Sequence, residues 1–217
     1  DLASRLLFGS RISLSIGFLA VSISATLGAL WGALSGAAGG KTDSLMMWVV
    51  DLALSLPRLV LVITVVGLFR PRGAVALYVV VLVLGLTGWM GVARIVRGLV
   101  LSLREQDFIQ ATRALGQSEL VIVVRHLLPN ALAPVIVHAT LGIGATILTE
   151  AALSFLGLGV PPPIATWGSM VSDGREFIRS AWWISAVPGC FIVLAVMSFN
   201  LLGDGLRDAL DPKLRHR

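Results

Sequence analysis

The stretch ISLSIGFLAVSISATLGALWGALSGAAGG, residues 12–40, carries no charged side chain over 29 residues. An apolar run of roughly 18 residues or more is long enough to cross the hydrocarbon core of a bilayer as a helix. No water reaches the backbone there, so every N–H and C=O must pair within the segment, and at this length only a helix does that. Working outward, further uncharged runs cover 73–93, 126–149, 151–172 and 180–203. The pattern predicts an all-α, polytopic helical membrane protein with spans at 12–39, 45–69, 74–93, 131–157 and 182–203. The run 151–172 is not a span of its own, because Gly157, Gly159 and Pro161-Pro162-Pro163 break it.

Composition excludes the other classes. Of 217 residues, 56% are hydrophobic and 13% charged, against about 45–50% and about 25% in soluble domains. Disorder is excluded because disordered chains are polar. The net charge of +5 comes from basic residues flanking the spans rather than from one solvated stripe, which argues against nucleic acid as a partner. Cys190, alone of its kind, allows no intrachain disulfide and no metal cluster, and reads as a small packing residue.

Lys and Arg set the orientation. Arg5, Arg11, Arg70, Arg72, Arg175 and Arg179, six residues, fall on one side, and ten fall on the other: Lys41, Arg94, Arg97, Arg104, Arg113, Arg125, Arg207, Lys213, Arg215 and Arg217. The loop 94–130 and the C-terminus are therefore expected in the cytoplasm, and 158–181 outside. Trp31, Trp48 and Trp89 at inner ends, with Trp167, Trp182 and Trp183 at outer ends, read as aromatic belts. An external Asp1 without a leader implies a further helix upstream.

Ser35 to Thr42 comes within one residue of a phosphate-binding loop, but it closes an apolar helix and follows no strand, so it reads as a glycine-rich helix end. Gly28, Gly32, Gly36 and Gly40 line one face of the first span and read as a helix-packing stripe, a theme repeated by Gly85, Gly88 and Gly91. Asp51 and Arg58, seven apart and so on one helix face, and Glu150 are the ionisable groups at membrane depth. Each costs roughly 2.5–3.5 kcal/mol there, so they pair with one another or line a polar pathway, and both readings stand. No nucleophile–base pair or H-E-x-x-H pattern supports an enzyme.

The loop 94–130 is the most informative segment. Phe108, Ala111, Thr112 and Leu115 fall on one face of a short amphipathic helix, with Glu105, Gln106, Asp107, Gln110 and Arg113 around the rest and Gly116 where the helix ends. Such a helix suits docking into another protein better than lying on lipid.

Gln110-Ala111-Thr112, Gly116 and, after nine intervening residues, His126-Leu127-Leu128-Pro129 resemble the E-A-A-x-x-x-G-x9-I-x-L-P loop of ABC importer permeases. Leu2 to Leu14, Leu153 to Pro163 with Trp167-Gly168, and Asn200 to Pro212 resemble the second permease subunit of the dipeptide/oligopeptide/nickel class. The resemblance covers essentially the whole chain. It implies a type I ABC importer transmembrane fold with five of six spans present. It also implies half of a translocation pore paired with a homologous permease, two cytoplasmic ATPase subunits and an external substrate-binding protein in a bacterial or archaeal cytoplasmic membrane. ATP and Mg belong to the ATPases and no cofactor to this chain. The loop helix becomes the coupling helix, with Asp107, Phe108, Gln110, Ala111, Thr112, Arg113, Leu115 and Gly116 as its docking set. Gln110 stands where the family has Glu, and that removes a charge. Peptide is the default substrate. The competing reading is a stand-alone channel or secondary transporter using Asp51, Arg58 and Glu150.

Overall fold

A computed structural model describes residues 1–69 and 73–210. Arg70, Arg72, Lys213, Arg215 and Arg217 of the charge count lie outside the described residues, as do Asp211 and Pro212 of the closing motif. The described chain is helical throughout its ordered elements, and four helical runs in it are long and apolar enough to cross a membrane.

Helix α1 (Leu2–Ala38) begins at Asp1, whose carboxylate accepts from the Ala3 amide, and so starts ten residues before the charge-free run. It ends where Gly39 and Gly40 both take positive φ, 65° and 55°. Glycine has no Cβ to obstruct that turn, and the chain reverses into α2 (Gly40–Leu54). Ser55 to Pro57 then bend it by 78° into α3 (Arg58–Phe69). Pro57 has no N–H to donate and disfavours helical geometry at Leu56. The expected single span 45–69 is therefore a broken pair, and Asp51 and Arg58 do not share a face.

Helices α4 (Val75–Leu86) and α5 (Trp89–Arg104) form one run interrupted at Thr87-Gly88. Side-chain donors reach three carbonyls at this break. Thr87 Oγ1 donates to Val83 O at 2.7 Å, Arg58 Nη2 to Leu84 O at 3.2 Å, and Ser24 Oγ to Gly85 O at 2.8 Å. Val83 O and Gly85 O also accept from the Thr87 and Gly88 amides, and Leu84 O accepts a second side-chain bond from Thr87 Oγ1 at 3.4 Å, so no carbonyl here is left orphaned in an apolar surrounding, where that is costly.

The glycine stripe packs α1 on α5. A Cβ on Gly28 would lie 2.5 Å from the Trp89 carbonyl, one on Gly32 would strike the Ala93 carbonyl, and one on Gly36 would lie 2.8 Å from Val100. Small residues let two helix backbones approach this closely. Gly40 is off the stripe with open space around it, and Gly91 has only the His138 ring, 3.9 Å away.

The short helices α6 (Asp107–Ala114) and α7 (Glu119–Ile122) follow. A π-turn, Val123–Leu127, joins α7 to α8 (Leu128–Phe155). Pro129 cannot donate in the first turn of α8; the wider turn absorbs the missing bond while Asn130 Nδ2 covers the His126 carbonyl at 2.6 Å. The helical run thus reaches back to Glu119, twelve residues before the expected span start of 131. After α8 come α9 (Trp167–Asp173), a 3-10 turn, α10 (Ile178–Ala181) and α11 (Trp183–Leu210).

Two core clusters mark opposite ends of α1. Ala33, Val96, Val100, Ile109, Ile122 and Leu127 pack near its C-terminal end. Leu6, Trp167, Met170 and Ile192 pack near its N-terminal end. Trp167 is buried there, its Nε1 donating to Leu6 O, so it belongs to the core and not to an aromatic belt. Trp31 packs against Trp89, ring centroids 5.1 Å apart, whereas Trp48, Trp182 and Trp183 are exposed. Cys190 is exposed on α11 rather than packed.

Candidate functional site

Helix α5 runs to Arg104, eleven residues past the expected end at 93, because its cations are satisfied along the way. Arg94 pairs with Asp51 at 2.7 Å, both half open to solvent. Arg97 forks onto Asp43 with two contacts of 2.6 Å, and Asp43 also accepts from Ser35 Oγ. Arg104 Nη1 donates to Gly36 O at 2.7 Å. A bidentate guanidinium–carboxylate contact fixes geometry as well as charge, so the seam clamps α5 onto the α1–α2 turn. The sequence carries a signal for this seam in Arg94 and Arg97, three apart, and Asp43 and Asp51, eight apart, each pair on one helix face.

The loop expected at 94–130 therefore contracts to residues 105–118 around α6. Three ties hold this helix against the end of α5 and the start of α7. Ile109 is fully buried among Val100, Ile122 and Val123. Gln110 Nε2 donates to Arg104 O at 2.9 Å. Arg113 forks onto Glu119 at 2.7 and 3.2 Å; that carboxylate, by its hydrogen bond first and its charge next, raises the guanidinium pKa above its usual value. Exposed as it is, the ion pair contributes under about 1 kcal/mol.

The face read from the sequence as apolar is not the one that seats α6 on its own chain. Ile109 does that, while Phe108 is 43% and Leu115 83% exposed. Asp107, Gln110 and Ala111 are exposed, and Thr112 is half-buried with its hydroxyl returned to Phe108 O. Gly116 closes the helix at φ 79°, a conformation that favours glycine. An anchored helix thus presents an unpartnered apolar edge beside the end of α5.

The intramembrane ionisable residues do not come together. Asp51 belongs to the arginine seam, and Arg58 reaches the α4–α5 break. Glu150 is buried on α8, and its Oε1 accepts from Ser154 Oγ at 2.8 Å and Thr166 Oγ1 at 2.9 Å. Thr166 also caps α9 through the Ser169 amide, so Glu150 holds the start of α9 against α8.

A family model described as the binding-protein-dependent transport system inner membrane component matches residues 28–216. The chain belongs to this family. As a permease of that kind it is 42% identical over 215 residues to the oligopeptide transport system permease protein OppC of Bacillus subtilis (strain 168), covering 99% of this chain and 69% of that protein. It is 44% identical over 216 residues to the dipeptide transport system permease protein DppC of Alkalihalophilus pseudofirmus, again covering 99% and 69%. Its fold matches a subunit of the methionine ABC transporter MetNI in an inward-facing form, with a TM-score of 0.75 at 21% identity over 95% of this chain and 96% of that one. The permease therefore has the transmembrane fold of an ABC importer. Family membership sets aside the reading as a stand-alone channel or secondary transporter.

Proposed function

We propose that this chain forms half of the translocation pathway of an ATP-driven importer of di- or oligopeptides and receives the force of ATP hydrolysis through α6. The observation that carries the reading is the apolar edge of Phe108 and Leu115, left exposed on a helix whose other face is anchored by Ile109. An exposed large apolar side chain on a fixed helix is what a partner's cleft needs for a buried contact.

In this reading Asp107, Phe108, Gln110, Ala111, Thr112, Arg113, Leu115 and Gly116 meet a cytoplasmic ATPase. That subunit binds ATP and Mg and does the hydrolysis, while this chain is non-catalytic. The α6 end of the bundle faces the cytoplasm and the α9 end faces outward, where a substrate-binding protein delivers its load. A homologous permease completes the pore. The names of the relatives support peptides as the cargo. Closure of the ATPase pair would displace α6, and the helical run from Glu119 through the π-turn into α8 carries the movement into the bundle, a switch between two packed states.

Cross-linking tests the docking. With Cys190→Ser as background, Leu115→Cys in the full-length permease is expected to cross-link to a co-expressed ATPase subunit in an ATP-dependent manner, and Leu194→Cys on α11 is not. Absence of any Leu115→Cys adduct in an assembled, active importer overturns the docking assignment. Uptake of labelled di- and oligopeptides compared with nickel, in cells lacking the subunit and restored with it, tests the cargo.

A further inference from the structure

Three side chains that face one cleft have hydrogen-bonding capacity to spare. The cleft, about 300 Å3, lies between α1, α5 and α8 with Arg58 of α3 at its edge. Its walls are mostly apolar, its polar side chains are Arg58, His138, Thr146 and Ser24, and no carboxylate of the described residues lines it. Arg58 makes no ion pair among the described residues, and one of its five donors is spent on Leu84 O. Thr140 and Thr149 of α8 return their hydroxyls to Ile136 O and Ala145 O; Thr146, between them, has no such partner among the described residues. Ser24 is already bound to Gly85 O.

Arg58, Thr146 and His138 each have a donor to offer, and the one charge among them, the Arg58 cation, has no counter-charge among the described residues. A guanidinium at membrane depth is costly when unpaired, and its planar fork matches a carboxylate. Apolar pockets with a few convergent polar groups orient ligands by such contacts. We infer that this cleft receives the carboxylate of the peptide in transit, with Arg58 as its charged contact and the Thr146 hydroxyl and His138 ring as further hydrogen-bonding ones. The inference rests on the peptide-import reading. Filling the α4–α5 break explains one hydrogen bond of Arg58, but a neutral amide could make that bond; it leaves the charge unexplained.

The test uses the assembled importer with the full-length permease in proteoliposomes, with the binding protein saturated by either a tripeptide or its C-terminally amidated form. Initial uptake of the free-acid peptide is expected to fall about tenfold in Arg58→Gln, the loss of one charge-assisted contact, with the amidated peptide changed less than about twofold. Arg58→Lys, which keeps the charge, is expected to stay within about threefold of wild type for both. Equal losses for the two peptides in Arg58→Gln overturn the contact. That is the result expected if Arg58 serves only the helix break or pairs with a carboxylate of the second permease. Failure of the wild-type assembly to take up either peptide overturns the import reading, and this inference with it.

Discussion

The side-chain amide of Gln110 donates to the backbone carbonyl of Arg104 at 2.9 Å, tying the first turn of α6 to the last turn of α5. A carboxylate at position 110 has no proton to give that carbonyl. Gln110→Glu is therefore expected to loosen α6, raising amide exchange across residues 107–114 several-fold while leaving the long helices unchanged. The bond is partly solvated, so the cost is about 0.5–1 kcal/mol. Unaltered exchange in this variant shows the tie to be dispensable.

Ile109 carries more than any polar tie. Truncation of a fully buried isoleucine costs about 2–5 kcal/mol, and Ile109→Ala is expected to detach α6 from Val100 and Ile122. Phe108→Ala and Leu115→Ala, both at exposed sites, leave the melting temperature of the detergent-solubilised permease within about 2 °C of wild type. In the assembled importer all three lower uptake per ATP hydrolysed. The stability split, read by thermal denaturation, separates anchoring from docking.

Gly116 is constrained by its backbone and not by its neighbours. Nothing lies within 4 Å of a Cβ built there, but φ is 79°. Gly116→Ala and Gly116→Trp are therefore expected to impair coupling alike, each through about 1–3 kcal/mol of backbone strain. Gly116→Asn recovers part of the loss, because asparagine tolerates the left-handed region. Measured uptake that falls with side-chain volume instead contradicts this account.

Glu150 accepts from two hydroxyls through one oxygen, an arrangement that a glutamine carbonyl can keep. Glu150→Gln is expected to preserve the seat of α9, whereas Glu150→Ala strands the Ser154 and Thr166 hydroxyls and costs about 2–4 kcal/mol. Limited proteolysis between α8 and α9 reads the difference: cleavage rises in the alanine variant and stays at the wild-type level in the glutamine variant.

A good part of this was legible along the chain. Charge-free runs of span length, the break at Gly157 to Pro163, the short helix ahead of Gly116 and the glycine period of α1 all follow from local rules. Boundaries were less so. Arg94, Arg97 and Arg104 read as the start of a loop because a cation ends an apolar run, yet each is neutralised or hydrogen-bonded by Asp51, Asp43 or the Gly36 carbonyl, and α5 continues past them. Phe108 and Leu115 stand out by hydrophobicity, but Ile109, a neighbour of the same character, is the one that finds a core.

What the amino-acid sequence determined by itself was the solvent. Whether a segment of this length can remain in hydrocarbon depends on the free energy of its own side chains and backbone, and that sum needs no knowledge of neighbours. What only the tertiary structure decided was partnership. Asp51 and Arg58 share a face on an unbroken helix and point apart once Pro57 bends the chain by 78°. Pairing then depends on the distance between α2 and α5, which helical period cannot supply. The guanidinium of Arg58, without an ion pair among the described residues, emerges from that bend.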